Sequence, residues 1–356
     1  MLEIRTLDAD MHELAEFCNS VWERRYRGLM PFPRWSPEFL EWELDDSRRA
    51  RELIVAAYDA GRLVGVLPAR PIRFHIQGQI VEGSWGSYFS VDPDYEHQPV
   101  SLKLHLEQRR RHRAHGLQVN FGYAFTGYAA GRGQGFWLNQ PKLVKPVCHL
   151  GTWVRALDPA AVARFSMNRF ETLGLQLARL VLRPPRPPRS SSAIRPFTPA
   201  DAPACAALLD EVSRRADIGY AWDETLALRQ LGFAPATRTL VAEHESAAQE
   251  RSVVGLINYC DLTFIGRTPI NVGLIDFLET SQLPHRTAVD LVRAALADMH
   301  VRGLHLAMAL RTTSMPFWPL ARTAFTMIPA EYQYVAQPID LDLPTWQLRR
   351  LHVHLR

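Results

Sequence analysis

Cysteine is scarce in this sequence, and its few residues are widely separated. The 356 residues include four cysteines, at positions 18, 148, 205 and 260, and no two of them form a C-x-x-C pair. Zinc ribbons need C-x-x-C pairs and disulfide scaffolds are dense in cysteine, so the pattern argues against both classes. We expect four buried free thiols, and we predict no metal site.

The sequence also lacks a long apolar run and a basic leader followed by an apolar stretch. Apolar residues make up 47% of the chain and charged residues 22%, which is the usage of globular proteins. No run reaches the length needed to span a membrane. We therefore expect a cytoplasmic protein with no membrane contact, long enough for two ordinary domains.

A large excess of one charge is missing as well. The formal net charge is only +4, and it hides a basic cluster, Arg109-Arg-Arg-His-Arg113. No aromatic residues are interleaved with these arginines, which makes a nucleic-acid partner an unfavoured interpretation. An acidic partner would meet a local patch rather than a uniformly basic surface.

The most informative stretch runs from Tyr88 to Phe125. A short alternating segment at Tyr88–Ser90 is followed by turn chemistry at Asp92-Pro93, an Arg-rich segment that ends at Gly116, and an apolar run from Leu117. This order predicts a strand, a tight turn, a helix and a second strand. The helix is not evident from pattern alone, because its apolar residues alternate with a period of two.

Val91-Asp-Pro-Asp-Tyr95 resembles the V-x-P-x-Y sequence that ends the fourth strand in the GNAT superfamily, the Gcn5-related N-acetyltransferases. The resemblance implies a helix after this motif. It also implies an α+β fold in which a mixed, mostly antiparallel sheet is flanked by helices and the cofactor is an acyl-CoA. In this family the backbone N–H groups of a loop at the helix N-terminus hold the pyrophosphate of the cofactor.

The phosphate loop departs from the family pattern. The family has R/Q-x-x-G-x-G/A, whereas this chain has Glu96-His-Gln-Pro-Val-Ser101, in which Pro99 removes a donor and Glu96 brings a negative charge. The resemblance still places the cofactor-binding positions here. They are Val91, His97, Gln98, Val100 and Ser101.

A second copy of the same element order follows a break in composition. The linker Pro184-Pro-Arg-Pro-Pro-Arg-Ser-Ser-Ser192 is rich in residues that add nothing to a core, and the order of strand, Asp-containing cap and helix then begins again at Ala193. We predict tandem GNAT-like acyl-CoA N-acyltransferase domains at residues 1–158 and 193–356, joined by a helix and linker at 159–192. The second phosphate loop has Leu283-Pro284 followed by the predicted cofactor-binding residues His285, Arg286, Thr287 and Ala288.

The resemblance also suggests catalytic residues. Family members often carry a carboxylate on the fourth strand as general base, and Glu82 and Glu279 take that position in the two copies. The family's usual acid is a tyrosine after the fifth strand, but its position falls near Gly131 and Leu320. Tyr128 is the nearby candidate for the acid.

These features predict a GNAT-type N-acyltransferase. It would move an acyl group from an acyl-CoA or acyl carrier protein thioester to a small-molecule amine by direct attack. Two alternatives stay open. One is a catalytically silent scaffold for binding or dimerisation, which would allow an oligomer, and the other is a transferase with a carrier-bound or tRNA-bound donor docked on Arg109–Arg113.

Overall fold

The chain forms two compact units, and each has the predicted α+β character. The computed structural model describes residues 2–44, 47–126, 143–178, 184–185, 187–188, 193–233, 236–245, 251–343 and 348–355. The first unit comprises residues 1–149 and 332–349, and the second comprises 150–331 and 350–355. The compact units therefore do not follow the predicted boundaries at residues 158 and 192.

The first unit is built on an antiparallel meander followed by a strand, helix and strand crossover. Its strands are β1 Leu2–Thr6, β2 Phe32–Arg34, β3 Val55–Asp59, β4 Arg62–Leu67, β5 Ala69–Ile76, β6 Gln79–Gly86, β7 Ser90–Val91 and β8 Val119–Phe125, and its helices are α1 Met11–Tyr26, α2 Pro37–Leu44, α3 Arg48–Glu52 and α4 Val100–Ala114. The β3–β4 and β5–β6 hairpins turn at Gly61 and Gly78, and both glycines have positive φ.

Residues 100–114 form the helix α4, which confirms the prediction drawn from the family resemblance. The period-two pattern of these residues alone would have suggested a strand. Val100 and Leu104 are fully buried on its inner face, in a cluster with Val55, Val64 and Leu67. Leu102 and Leu106 are exposed on the outer face. The period-two alternation of apolar residues therefore does not indicate a strand. It arises because two exposed leucines lie between the buried residues of a helical core face.

The second unit repeats this plan. Its strands are β9 Lys145–Ala156 (from Leu150), β10 Ile194–Pro196, β11 Ile218–Tyr220, β12 Thr237–Glu245, β13 Arg251–Ile265, β14 Pro269–Glu279, β15 Leu306–Leu310, β16 Thr326–Pro338 (to Glu331) and β17 Leu351–His352, and its helices are α5 Pro159–Phe165, α6 Arg169–Ala178, α7 Ala202–Arg215, α8 Glu224–Gly232, α9 His285–Val301 and α10 Phe317–Arg322. Helix α9 packs Leu291, Ala295 and Met299 against the apolar face of the sheet.

The long helix predicted from Pro159 is interrupted. Residues 159–178 form the two helices α5 and α6, because Ser166 and Asn168 compete for the backbone. The side chain of Asn168 accepts the N–H of Phe170 at 2.9 Å, and the Ser166 hydroxyl donates to Glu171 at 2.7 Å.

One strand of the first unit comes from the far end of the chain. Residues 332–338 of β16 pair antiparallel with β8, from Tyr332 opposite Phe125 to Pro338 opposite Val119. Within the second unit, β15 pairs antiparallel with residues 152–156 of β9. Each unit thus includes a strand from the part of the sequence that is predicted to form the other domain.

Candidate functional site

In the first unit, the parallel strands β6 and β8 pair over a short distance and then separate. Their register runs from Gly83 opposite Val119 to Trp85 opposite Phe121. A Cβ on Gly122 would lie 2.7 Å from the carbonyl oxygen of Gly86, so the backbones are still close at this level. Beyond it, β8 continues to Phe125, whereas the other strand turns away to pair with β4 as β7.

The turn between β6 and β7 is held by a strained tyrosine. Tyr88 has a φ of 58°, a left-handed conformation that is unusual for a bulky residue. Its buried ring packs edge-on against Trp35 and Phe39, with centroid distances of 5.2 and 6.2 Å. Since strain of this kind persists only where packing enforces it, the aromatic contacts fix the bend that opens the gap.

The V-x-P-x-Y motif forms the rim of this gap. Asp92 accepts the N–H of Asp94 at 3.0 Å and is ion-paired with Arg24 at 2.8 Å. The hydroxyl of Tyr95 donates to Asp59 at 2.9 Å, which ties the motif to the β3–β4 hairpin. The motif is therefore fixed on both sides before the chain enters α4.

Helix α4 begins after Pro99 without a side-chain cap. The first N–H groups of a helix have no partner within the helix, and the positive end of the helix dipole lies there. Val100 anchors the turn because its side chain is fully buried beneath it. The N-terminal turn can thus offer backbone donors to an anion.

The second unit has a matching gap. Strands β14 and β15 pair in parallel from Val272 opposite Leu306 to Ile275 opposite Ala309. The register of β14 with β13 then skips Asp276, which is an extra residue in the strand. Beyond this bulge β14 continues to Glu279, and α9 begins after Pro284, again without a side-chain cap.

Comparisons with known proteins agree with this geometry. Residues 3–136 match the family described as the acetyltransferase (GNAT) domain. These residues therefore carry a GNAT domain, as the V-x-P-x-Y motif indicates. No curated protein has significant sequence similarity to the chain.

Solved structures extend the GNAT fold over nearly the whole chain. N-myristoyltransferase from Saccharomyces cerevisiae, solved with bound myristoyl-CoA, has a TM-score of 0.75 at 14% identity over 99% of this chain and 84% of its own. A GCN5-related N-acetyltransferase from Anabaena variabilis has a TM-score of 0.56 at 10% identity, over 95% of this chain and 73% of its own. A probable N-acyltransferase from Enterococcus faecalis has a TM-score of 0.55 at 11% identity, over 96% and 73%. The tandem GNAT architecture predicted from the sequence is confirmed.

The predicted cofactor-binding residues of the first GNAT unit divide by exposure. His97 and Gln98 are exposed on the turn before α4, and Ser101 is half-buried in its first turn. Val91 and Val100 are buried in the apolar cluster beneath. These two valines can therefore serve a cofactor only through their backbone groups.

In the second GNAT unit, His285 and Arg286 are exposed at the start of α9, Thr287 is half-buried, and Ala288 is buried. The two helix starts align Pro99 with Pro284. On that alignment His97 lies before its helix and His285 within its helix, so the two histidines are not equivalent.

The three catalytic candidates have different surroundings. Glu279 is 5% exposed just beyond the bulge of β14, and one of its oxygens accepts the N–H of Ser281 at 2.6 Å. Glu82 lies at the paired end of β6, away from the gap, and is ion-paired with Arg49 at 3.4 Å. Tyr128 lies outside the described residues.

The basic cluster Arg109–Arg113 is largely engaged within its own GNAT unit. Arg109 donates to the carbonyl oxygen of Pro338 at 2.8 Å, Arg110 and Arg111 bind Glu107 at 2.8 Å, and Arg113 is paired with Asp340 at 2.9 Å. The pairing lowers the pKa of Glu107 to about 2. The cluster also lies towards the far end of α4, about 14–20 Å from its N-terminus at 1.5 Å per residue. Both observations weaken its interpretation as a donor-docking patch.

A buried polar network that the sequence did not reveal fastens α4 to the strands beside the gap. Nδ1 of His112 lies 2.6 Å from the carbonyl oxygen of Gln108, which can only accept, so the proton resides on Nδ1. The single hydroxyl proton of Ser84 lies between two acceptors, Nε2 of His112 at 2.5 Å and Oδ1 of Asn120 at 2.8 Å. Burial lowers the pKa of His112 to about 4, which keeps the ring neutral.

Other kinds of site find less support. The described residues contain no cluster of three His, Cys, Asp or Glu side chains suited to a metal ion. None of the helices that the structure describes is both long enough and apolar enough to cross a bilayer. Cys18, Cys205 and Cys260 are buried as expected, whereas Cys148 is half-buried.

Proposed function

We propose that this protein is an acyltransferase that moves an acyl group from an acyl-CoA thioester to an amine. The observation that carries the proposal is the parting of two parallel strands beside an uncapped helix N-terminus, which occurs in both GNAT units. Phosphate groups bind well at helix N-termini, and the separated strands leave room for an extended pantetheine arm. The bound myristoyl-CoA of the yeast structure supports a CoA thioester as donor.

The reaction would proceed by direct attack. The neutral amine nitrogen forms a bond to the thioester carbonyl carbon, and the carbon–sulfur bond breaks. A base accepts a proton from the attacking nitrogen, and an acid donates a proton to the leaving thiolate. In the second unit Glu279 is the proposed base, because it is buried beyond the bulge where β14 leaves β15. Tyr128 remains the proposed acid of the first unit, and each gap would need its own base and acid.

Chemistry near the first gap favours an apolar acyl group. On the face of the sheet opposite α4, Tyr334 stacks on Phe121 at 5.3 Å and on Trp85 at 6.0 Å, and Tyr123 packs edge-on against Trp85 at 5.2 Å. We call these four residues the aromatic face. An acyl chain that passed between the strands would meet this surface, where its burial is favourable.

The proposal is tested by release of free CoA thiol. Acyl-CoAs of two to sixteen carbons are incubated with a panel of amines, and binding of each acyl-CoA is measured separately by calorimetry. We expect binding in the micromolar range and amine-dependent thiol release for at least one pair. The proposal is overturned if no acyl-CoA binds.

A binding scaffold is the second candidate, and the observation that favours it is the composition of the phosphate loops. Residues 96–101 and 283–288 contain no glycine, so the close backbone approach that glycine permits is lost. A scaffold would give calorimetric binding to a partner without thiol release. An acyl carrier protein donor would give release that charge reversal of Arg110, the most exposed arginine of the cluster, diminishes.

A further inference from the structure

Arg70 is a buried arginine for which the described residues supply no counter-charge. Its side chain lies in β5 and the residue is 3% exposed. Within the described part of the chain, neither Nε nor either terminal nitrogen of its guanidinium has a hydrogen-bond partner. The guanidinium stays charged in proteins, and buried charges are normally paired, so this arrangement is unusual.

Two other arginines of limited exposure are paired with carboxylates. Arg195 pairs with Asp201 at 2.7 Å and with Glu243 at 2.6 Å. Arg111 binds Glu107 and donates to the carbonyl oxygen of Glu52 at 2.7 Å. Arg70 is the one described arginine for which all three guanidinium nitrogens are buried without a hydrogen-bond partner.

The position of Arg70 relates it to the gap. It is directly opposite Trp85 in the antiparallel β5–β6 pair, and Trp85 is the last residue of β6 to pair with β8. Directly opposed residues of an antiparallel pair share one face, so Arg70 lies on the side of the aromatic face. It is two residues after Pro68, where the chain passes from β4 to β5.

The two faces of the sheet would then bind different parts of the substrates. The uncapped N-terminus of α4 suits the phosphates of the donor on one face. The transferred group and its acceptor would meet on the other face, where Arg70 supplies five N–H donors in a planar fork. A planar carboxylate with two oxygens matches this fork.

We propose that Arg70 binds a substrate carboxylate at the gap of the first unit. The carboxylate belongs either to the amine acceptor, as in an amino acid or peptide, or to the acyl group, as in a dicarboxylic acyl-CoA. The inference rests on the proposed acyl transfer for its substrates. Its binding test does not depend on turnover.

The test compares Arg70→Met with wild type and with Arg73→Met, an exposed arginine of the same strand on the opposite face. Binding is measured by calorimetry for amino acids and dipeptides against their amides, and for succinyl-CoA against butyryl-CoA. We expect wild type and Arg73→Met to prefer one carboxylate series by at least about tenfold, and Arg70→Met to lose that preference. We also expect Arg70→Met to melt at a higher temperature, because an unpaired buried charge has been removed.

The two ligand series identify the source of the carboxylate. A loss confined to amino acids and dipeptides assigns it to the acceptor, and a loss confined to succinyl-CoA assigns it to the acyl group. Unchanged affinity of Arg70→Met for butyryl-CoA shows that donor binding is intact. The proposal is overturned if wild type prefers no carboxylate of either series, or if Arg70→Met keeps the preference. Failure of acyl transfer itself would appear instead as absent acyl-CoA binding in all three proteins.

Discussion

Replacement of Ser101 by proline should weaken donor binding through the backbone alone. Ser101 is the second residue of α4, so its N–H has no partner within the helix and the helix has no side-chain cap. Proline is tolerated at this position, as helix α7 shows by carrying Pro203 as its second residue. Ser101→Pro therefore removes one donor from the proposed phosphate site while the helix remains.

The expected magnitude follows from the kind of bond that is lost. A hydrogen bond from an N–H to a charged group contributes about 1.5–3 kcal/mol, and solvent near the loop favours the lower end. Because about 1.4 kcal/mol corresponds to a factor of ten, the Kd for acyl-CoA should rise about tenfold or more. Ser101→Ala keeps the N–H and serves as the matched control, with an expected change of less than about threefold.

Calorimetric titration of both variants with acyl-CoA measures the effect, and thermal melting checks that each is folded. Wild-type affinity in a folded Ser101→Pro would refute the role of the helix N-terminus. An equal loss in Ser101→Ala would assign the contact to the hydroxyl instead. Arg286→Pro and Arg286→Ala form the same pair in α9, so the unit in which only proline weakens binding is the unit that holds the donor.

Two further predictions concern buried ionisable groups. Glu279→Gln can still accept the N–H of Ser281, so we expect a stable protein that binds acyl-CoA. Its release of CoA thiol should be at least about tenfold slower, because the glutamine cannot act as a base. Full activity of the variant would exclude Glu279 as the base. For His112, the folded pKa of about 4 lies below the ordinary 6.5, so its contribution to stability is complete above pH 6.5 and is lost as the pH falls towards 4. Between pH 7 and 5 the loss is about 2 kcal/mol, since the slope approaches 1.4 kcal/mol per pH unit below pH 6.5. Urea unfolding measures the free energy of unfolding at pH 7 and pH 5. The decrease between the two pH values should be smaller in His112→Gln than in wild type by about this amount, and equal decreases would contradict the prediction.

Local sequence was sufficient for the features that depend on local chemistry. Asp92 and Pro93 carry the chemistry of a turn, and the resemblance of Val91, Pro93 and Tyr95 to the GNAT motif indicated where the strand ends. The change of composition at residues 184–192 and the restart of the strand and helix order indicated the duplication. Pro99 and Pro284, at the starts of α4 and α9, could have been recognised as a shared pair of helix signals.

Features that depend on pairing between distant strands were not predicted. The left-handed conformation of Tyr88 is imposed by Trp35 and Phe39, which are far away in the sequence. The extra residue Asp276 appears only when β13 and β14 are aligned. Arg70 looks like an ordinary strand arginine until its burial is known, so nothing in its sequence context distinguishes it.

The exchanged strand makes a separate prediction about folding. In the first unit, residues 332–338 cover β8, and Tyr334 is fully buried against Phe121, with the two rings nearly parallel at 8°. A protein limited to residues 1–158, the predicted first domain, would leave the edge of β8 and its aromatic residues uncovered, which favours association between copies. We expect this piece to aggregate or to bind a hydrophobic dye. Addition of a peptide comprising residues 330–340 should suppress aggregation if the missing strand is the cause, whereas a monomeric, cooperatively folding 1–158 would show that the unit does not need it.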